Sequence, residues 1–427
     1  MLPLPFIRDH PDAVRRSLAL RGALIGTDAP LDQTLALDEQ RRALLLQVEQ
    51  LKADRNKASK AIGATKDPAD RDRLIADQRG VGDRIAALDD QLRALDSQLH
   101  DLLSLFPNLV DPSVPEGVDE TDNVVVRRVG DPKTFAFAPK PHWEIGEALG
   151  ILDVERAASI AGPRMVLLKG LGAKLQRALI GYFLDKHAAA GYTEFYLPAM
   201  VREEVMFASG QLPKFRDNLY HDAEEDYWFI PTAEVPLTAL HRDEILDESR
   251  LPLRYAAHTP CFRREKASAG RDVRGMKRVH QFEKVEIYQF TTPDQSADAH
   301  REMIAHVESI LHELGLAYRV VQLCSADLGF SAAISFDLEV WCPGLGEWME
   351  VSSLSNCTDF QSHRANIRYR PTAGGKPRPL HTLNGSGLPT GRIIAALLEH
   401  YQQPDGSVEI PAVLRPRLGG LTRITPA

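Results

Sequence analysis

The chain has 427 residues, of which 44% are hydrophobic and 26% are charged, so collagen-like, disordered and disulfide-framework proteins are excluded. Its formal net charge of −8 excludes a uniformly basic nucleic-acid-binding protein, although a locally basic surface is compatible with it. A chain of this length is expected to form two or three domains.

Cysteine usage and hydropathy indicate a cytoplasmic protein. Cys261, Cys324, Cys342 and Cys357 form no C-x-x-C pair, which predicts reduced thiols and no structural zinc. The N-terminal residues Met1–Arg16 lack the apolar core of a signal peptide, and no run of 18 apolar residues occurs in the chain. We therefore expect a cytoplasmic location and no membrane partner.

Two heptad patterns predict a pair of long helices near the N-terminus. The first pattern consists of Leu37, Arg41, Leu44, Val48, Leu51, Arg55, Ala58 and Ile62. The second consists of Val81, Ile85, Leu88, Leu92, Leu95, Leu99 and Leu102. Because only a short turn at Lys66–Pro68 separates them, the helices must pack antiparallel. The sequence thus predicts a coiled-coil arm over about residues 33–103.

The outer half of the first predicted helix is basic. Lys52, Arg55, Lys57 and Lys60 lie there against the single acidic residue Asp54. A solvated coiled-coil face and a surface that binds a nucleic-acid backbone by counterion release both fit this pattern. Charge alone does not separate the two interpretations.

The rest of the chain reads as one α+β domain. Helices are expected at Leu171–Ala190, Ser296–Leu314 and Arg392–Tyr401, and strands at Phe195–Leu197, Tyr227–Ile230, Gln281–Phe290, Tyr318–Leu323 and Phe336–Trp341. Alternating polarity in the last strand favours an antiparallel sheet. We predict an N-terminal domain over residues 1–112 and a catalytic domain over 113–427, which begins with a linker that runs to about Lys140.

The densest functional signal lies between Cys261 and Arg278. This stretch holds seven basic and two acidic residues, and it reads as a strand, a glycine-containing loop and a second strand. Arginine suits phosphate because its planar guanidinium donates paired hydrogen bonds and stays charged. The stretch therefore predicts a site for a polyphosphate and for the end of a nucleic acid.

This basic stretch resembles motif 2 of the class II aminoacyl-tRNA synthetases, in the form found in bacterial-type seryl-tRNA synthetases. The other segments that fit the family occur in its order: Ile7–Val14, the coiled arm, Pro231–Pro236, Glu350–Gln361, His381–Ser386, the motif 3-like Gly387–Arg392 and the tail Ile410–Pro416. The resemblance covers nearly the whole chain. It implies the class II fold, an antiparallel sheet flanked by helices, with an N-terminal antiparallel two-helix coiled-coil arm.

The resemblance also implies a set of site residues. The catalytic residues would be Arg263, Glu265 and Arg392. Those expected to bind ATP are Arg263, Arg264, Glu265, Val279, Glu350, Val351, Ser352, Ser353 and Arg392, with Glu350 and Ser353 also holding Mg²⁺. Those expected to bind serine are Thr232, Ala233, Glu234, Glu286 and Ser386. Lys52, Arg55, Lys57 and Lys60 would bind tRNA.

The implied reaction joins L-serine and Mg·ATP to form seryl-adenylate, and then esterifies the 3′ end of tRNA(Ser), and of tRNA(Sec) where that tRNA exists. Leu171–Pro198 lies where motif 1 builds the family's homodimer. The sequence departs from the usual family pattern at Arg264, Lys266 and Pro389, which all lie beside the expected substrates.

Two other functions fit parts of the sequence. A ligase that loads an amino acid onto a carrier protein would share the catalytic core but lack the arm. A non-catalytic paralogue that binds RNA or proteins would show eroded motifs, whereas they are present here. No P-loop and no Rossmann glycine pattern occurs. Taken singly, Glu234, Arg263, Ser386 and Arg392 would also fit local structural roles, so the prediction depends on their joint order.

Overall fold

The computed structural model describes residues 1–25, 31–266 and 274–426. The chain divides into two compact units. In the described residues one consists of 2–19 and 31–107, and the other of Met1, Leu20–Ile25 and the chain from Asn108 onward. Parts of the turn predicted before residue 31 and of the basic loop after Lys266 lie outside the described residues. No described helix has the length and apolar character that crossing a bilayer requires.

The N-terminal region is helical. Its helices are α1 (Leu4–Asp9), α2 (Pro11–Ile25), α3 (Leu31–Ala64) and α4 (Pro68–Ser104). Helices α3 and α4 form the predicted antiparallel hairpin, in which the heptad residues Val48, Ile85, Leu92 and Leu99 are buried. Asp67 caps α4 by accepting the backbone N–H groups of Ala69 and Asp70 at 2.8 and 3.1 Å. The predicted coiled-coil arm is confirmed.

The second unit is built from the remaining elements. Its strands are β1 (Val124–Val129), β2 (Thr193–Phe195), β3 (Met200–Val201), β4 (Trp228–Phe229), β5 (Ile245–Asp247), β6 (Leu253–Phe262), β7 (Gln281–Thr291), β8 (Tyr318–Gln322), β9 (Ile334–Cys342), β10 (Glu347–Asn356), β11 (Arg368–Arg370), β12 (Arg378–Pro379), β13 (His381–Pro389), β14 (Val408–Glu409) and β15 (Arg423–Ile424). Its helices are α5 (His142–Ala148), α6 (Val154–Ala161), α7 (Leu171–Ala189), α8 (Glu203–Ser209), α9 (Glu234–Ala239), α10 (Ser296–Glu313), α11 (Phe360–Ala365) and α12 (Thr390–His400).

An eight-stranded sheet organises this unit, in the order β1-β8-β9-β10-β13-β7-β6-β2. Every neighbouring pair is antiparallel except β2 and β6. Helices α7, α10 and α12 pack on the sheet and bury a large apolar core with it. The predicted class of fold, an antiparallel sheet flanked by helices, is confirmed.

The predicted linker contains a strand that the sequence analysis did not predict. Within the stretch that runs to about Lys140, Val124–Val129 is the edge strand β1, paired with β8. Its residues are mostly exposed, so the run has none of the polar and apolar alternation that marks a half-buried strand. Strand β2 also begins two residues before the predicted Phe195.

Candidate active site

A cavity of about 540 Å³ lies over the sheet in the second unit. It brings together most of the predicted site residues, namely Thr232, Glu234, Arg263, Glu265, Val279, Glu286, Glu350, Ser353, Ser386 and Arg392. Four of the residues predicted to bind ATP or serine do not line it. Ala233 is buried in an apolar cluster, Val351 and Ser352 are fully buried, and Arg264 lies over the Tyr220 ring at 6.0 Å.

An irregularity in β10 lets Glu350 and Ser353 share one face. Residues three apart on a regular strand point to opposite faces. Here the pairing with β9 shifts between Glu350 and Ser352, as a β-bulge does, and both Glu350 and Ser353 line the cavity. The Ser352 hydroxyl instead donates to the Ser386 carbonyl at 2.6 Å. The bulge therefore selects which residues of this segment face a ligand.

Arg392, at the start of α12, forms hydrogen bonds with two other segments that line the cavity. One guanidinium nitrogen donates to the backbone carbonyl and to the carboxylate of Glu350 at 2.7 and 2.9 Å, and Nε donates to the Lys277 carbonyl at 3.2 Å. Enclosure pushes the pKa of Glu350 upward, but the cations Arg392, Arg263 and Lys284 outweigh this effect and lower it. Glu350 is therefore held as a carboxylate.

Arg263 follows β6 and forms the opposite wall. Its backbone N–H donates to the His280 carbonyl at 2.9 Å, its Nε donates to the Pro231 carbonyl at 3.3 Å, and its guanidinium covers the Phe282 ring at 5.1 Å. Glu265 adopts a positive φ of 52° and lies 3.8 Å from Arg278. Two fixed guanidinium groups, Arg263 and Arg392, thus face a common space in which anionic groups are stabilised.

The residues beside Glu350 fit a hard divalent cation. The Ser353 hydroxyl donates to the carboxylate of Asp337, which is its cross-strand neighbour on β9. The second oxygen of that carboxylate, Asp337 Oδ1, is buried and has no hydrogen-bond partner. Burial first, and then the Glu350 carboxylate, raises the pKa of Asp337 well above its usual range. Carboxylate and hydroxyl oxygens are ligands that Mg²⁺ prefers.

The other end of the cavity is organised by the buried carboxylate of Glu286 on β7. Lys284, two residues away on the same face, forms an ion pair with it. The Thr232 hydroxyl donates to Glu286 Oε2 at 3.0 Å and accepts from Lys284 Nζ at 2.9 Å. The Glu286 carboxylate and the Thr232 hydroxyl therefore already bind one ammonium group, that of Lys284.

Glu234 lies near Glu286 and Lys284 and is bound by a second set of polar groups. Its Oε1 accepts from Gln361 Nε2 at 2.6 Å and from Asn384 Nδ2 at 3.0 Å. Ser386, which pairs with Glu286 across β13 and β7, has a buried hydroxyl oxygen with no partner. A buried hydroxyl without a partner favours a ligand that completes its hydrogen bonding.

The pKa of Glu234 predicts how stability depends on pH. Burial, and then the Glu286 carboxylate, raises this pKa to about 7. Between the ordinary glutamate pKa and pH 7 the folded chain retains a proton that the unfolded chain releases, so the free energy of unfolding falls as the pH rises. We expect Glu234→Gln to reduce this fall by about 1–3 kcal/mol between pH 5 and pH 7.5, as measured by urea unfolding without ligands. The exposed Glu224→Gln control should keep the wild-type slope, and an equal slope in all three proteins would contradict the assignment.

Sequence reasoning missed Lys284 and Asn384, which both line the cavity. Each lies two residues before a predicted site residue on a strand, Lys284 before Glu286 and Asn384 before Ser386. Because residues i and i+2 of a strand share a face, this spacing was the signal that could have found them. Asp337 carried no such local signal, because its partner Ser353 is on another strand.

The four basic residues predicted on the arm lie on α3, in the helical unit. Lys57 and Lys60 are exposed, and Lys52 and Arg55 are half-buried. Lys52 Nζ pairs with Asp89 of α4 at 3.1 Å, and Lys57 lies 3.8 Å from Asp54. The heptad position Arg41 forms an ion pair with Asp96 of α4, so a charge in the seam is matched across the hairpin.

Two families match the chain. Residues 215–401 match the tRNA synthetase class II core domain (G, H, P, S and T), and residues 1–110 match the seryl-tRNA synthetase N-terminal domain. Among curated proteins, the chain is 57% identical to a serine–tRNA ligase of Roseiflexus sp. (strain RS-1), over 99% of each chain. It is 54% identical to the serine–tRNA ligase of Chloroflexus aurantiacus, over 100% of each chain.

Solved structures give the same result. The seryl-tRNA synthetase of Pyrococcus horikoshii, crystallised with ATP, superposes with a TM-score of 0.94 and 38% identity over 100% of both chains. The cytoplasmic serine–tRNA ligase of Naegleria fowleri, in complex with AMP, superposes with a TM-score of 0.88 and 32% identity, over 100% of this chain and 99% of that one.

Proposed function

The chain belongs to the seryl-tRNA synthetase family of class II, and from this premise we propose which of its residues perform the reaction. The activity is that of a serine–tRNA ligase, in which ATP drives the attachment of serine to tRNA. The observation that carries the assignment of residues is that one cavity holds two arginines at one end and a buried carboxylate with hydroxyl groups at the other.

We propose that ATP binds between Arg263 and Arg392. In-line attack of the serine carboxylate on the α-phosphorus needs positioning and charge neutralisation more than covalent help from the protein. Arg263 neutralises the α-phosphate and Arg392 the γ-phosphate, while Glu265 and Val279 contact the nucleotide. Of the remaining predicted ATP residues, Arg264, Val351 and Ser352 act through backbone position, because their side chains lie outside the cavity lining.

Glu350 and Ser353 are the proposed holders of Mg²⁺. Their oxygen donors share one face of β10, and the partnerless Asp337 Oδ1 lies beside them, which supports this role. The ion, when bound with ATP, supplies charge neutralisation and orientation of the phosphates. The part played by the chain is to keep Glu350 ionised through Arg392 and to fix both oxygens by the bulge.

Serine is proposed to bind at the other end of the cavity. Glu286 pairs with its ammonium group, and Thr232, Glu234 and Ser386 surround its hydroxyl, with Ala233 contributing backbone only because its side chain is buried. Alanine is rejected because it would leave these buried polar groups without partners. Serine-dependent exchange of labelled pyrophosphate into ATP tests this step, and exchange without serine, or none with it, would contradict it.

The arm is proposed to bind the backbone of tRNA(Ser), and of tRNA(Sec) where present, through Lys52, Arg55, Lys57 and Lys60. Exposed ammonium groups are the ones that release counterions from RNA, and Lys57 and Lys60 are the two exposed members of this set. Long helical RNA of this kind is recognised by shape and backbone rather than by base edges.

A double variant tests the arm. Lys57→Ala with Lys60→Ala should weaken tRNA binding, and lower the slope of log Kd against log salt by about one per lysine. Serine-dependent pyrophosphate exchange should be unaffected, because it needs no tRNA. Arg93→Ala is the matched control, since Arg93 is a basic residue of α4, outside the proposed set on α3, and pairs with Asp90. A salt slope that does not change in the double variant would remove these two lysines from the interface.

The oligomeric state, the domain boundary and the location of the protein are also proposals. We infer a homodimer formed through the region of Leu171–Pro198, where Tyr196 is fully exposed. The domain boundary is proposed at residues 112–113, and the location is proposed to be cytoplasmic, in line with four free, buried thiols.

A further inference from the structure

A fully buried histidine and glutamate join three separate walls of the cavity. His142 is the first residue of α5 and Glu399 lies in the last turn of α12, 257 residues later, and neither side chain is exposed to solvent. Nδ1 of His142 lies 2.8 Å from Glu399 Oε1, and the backbone N–H of His142 donates to the same oxygen at 3.0 Å. Oε2 accepts from the backbone N–H groups of Gly344 and Leu345 at 2.9 and 3.1 Å.

These contacts fix the tautomer of the imidazole. Nδ1 faces a carboxylate, which only accepts hydrogen bonds, so Nδ1 carries the proton. Nε2 then has a free lone pair, and it accepts the backbone N–H of Met276 at 3.0 Å. A second proton on Nε2 would face that N–H and break the bond. The imidazole is thus an acceptor for one backbone group.

The backbone just before Met276 packs closely against the imidazole. Gly275 adopts a φ of +77°, and a Cβ placed there would overlap His142 Nε2 and approach the Trp143 ring to 2.8 Å. The two side chains of α5 therefore form the surface on which Gly275 and Met276 rest. Glycine is required at this position both for its φ and for this close approach.

Each segment that the pair holds carries a residue at the ATP end of the cavity. Met276–Val279 line it, and the carbonyl of Lys277 accepts from Arg392 Nε. Glu399 is on α12, the helix that carries Arg392 in its first turn, and Gly344 and Leu345 form the turn between β9 and β10, the strand that carries Glu350. The Glu399 carboxylate and the His142 imidazole thus connect the 276–279 segment, helix α12 and the β9–β10 hairpin to one another. No contact of the pair reaches Thr232, Glu234 or Glu286 at the serine end.

We propose that His142 and Glu399 are positioning residues for ATP, an inference that rests on the proposed placement of ATP between Arg263 and Arg392. They set the distance between the 276–279 segment and Arg392, and they do not touch the substrates. Loss of the acceptor at Nε2 leaves the buried N–H of Met276 without a partner and frees the segment to shift. ATP binding should suffer, and serine binding should not.

Two substitutions at one position separate this role from general packing. In His142→Asn the amide still donates to Glu399 but is too short to accept from Met276. In His142→Gln the longer side chain places an acceptor near the former Nε2. We expect His142→Asn to raise the KM for ATP about tenfold or more in pyrophosphate exchange, with the KM for serine unchanged, and His142→Gln to recover most of the loss.

A direct binding measurement completes the test. The Trp143 ring meets the His142 ring edge-on, with centroids 5.0 Å apart, so Trp143 is one of four tryptophans whose fluorescence a titration with Mg·ATP alone can follow without catalysis. His363→Asn is the control, because His363 pairs with Asp359 at 3.2 Å and does not line the cavity. If His142→Asn fails to fold, Gly275→Ala, which pushes on the imidazole from the other side, should give the same selective loss of ATP affinity.

Equal increases in both KM values, or an unchanged ATP affinity in the folded variants, would overturn the inference. Failure of the proposed function is distinguishable, since the wild-type chain would then show no serine-dependent exchange at all.

Discussion

The Glu286→Gln substitution will raise the KM for serine by about thirtyfold or more, because a buried, charge-assisted pair contributes about 2–5 kcal/mol. Glu286 is 2% exposed and is the carboxylate that Lys284 and Thr232 already hold. Glutamine keeps its size but cannot balance the substrate ammonium. Pyrophosphate exchange at varied serine, with ATP saturating, measures the effect, and the KM for ATP should change little.

The matched control for this experiment is on the same strand. Glu283 pairs with His258 at 2.7 Å and does not line the cavity, so Glu283→Gln removes a carboxylate from β7 without touching the site. It should leave both KM values near those of the wild type. A serine KM that is unchanged in Glu286→Gln would place the ammonium elsewhere.

Removing the guanidinium of Arg392 should lower the rate of adenylate formation by about 10²–10³-fold, the usual cost of removing one preorganised group that stabilises developing charge. Arg392 acts twice in this structure, since it faces the phosphate end of the cavity and also orders Glu350 and the Lys277 carbonyl. Single-turnover formation of seryl-adenylate in Arg392→Ala measures this rate directly.

Two further variants serve as comparisons for Arg392→Ala. Arg392→Lys keeps the charge without the planar fork, so it should recover only part of the rate. Arg370→Ala removes an exposed arginine of β11, outside the cavity lining, and should have no effect. Adenylate formation at the wild-type rate in Arg392→Ala would exclude Arg392 from the reaction.

The arm was predictable from the residues because its signal is local. A heptad repeat records, in consecutive turns of one helix, which side chains the partner helix must bury, and Val48, Ile85, Leu92 and Leu99 are buried accordingly. The edge strand β1 was not predictable in this way. It is a run of exposed valines and arginines with no alternation, and its place in the sheet depends on β8, almost two hundred residues away.

The cavity shows where spacing along the chain stops being informative. Glu350 and Ser353 were predicted by resemblance alone, since their separation on a regular strand would place them on opposite faces. The shift in register opposite β9 brings them together, and that shift is a property of two paired strands. Lys284 and Asn384 were accessible to simple reasoning about strand faces.

The pair His142 and Glu399 had no signal in the sequence. Each lies at one end of a helix in which it reads as an ordinary polar residue, and only tertiary packing makes both fully buried partners. Networks of this kind join backbone groups from distant segments. They are therefore visible in the structure and in no local pattern.

Transfer of labelled L-serine to total tRNA, by the full chain with Mg·ATP, is the most direct test of the whole account. We predict a serine ester on the 3′ end of tRNA(Ser), formed only when ATP and serine are both present. Formation of seryl-adenylate with no ester on any tRNA would contradict the account. It would point instead to a ligase that loads a carrier protein.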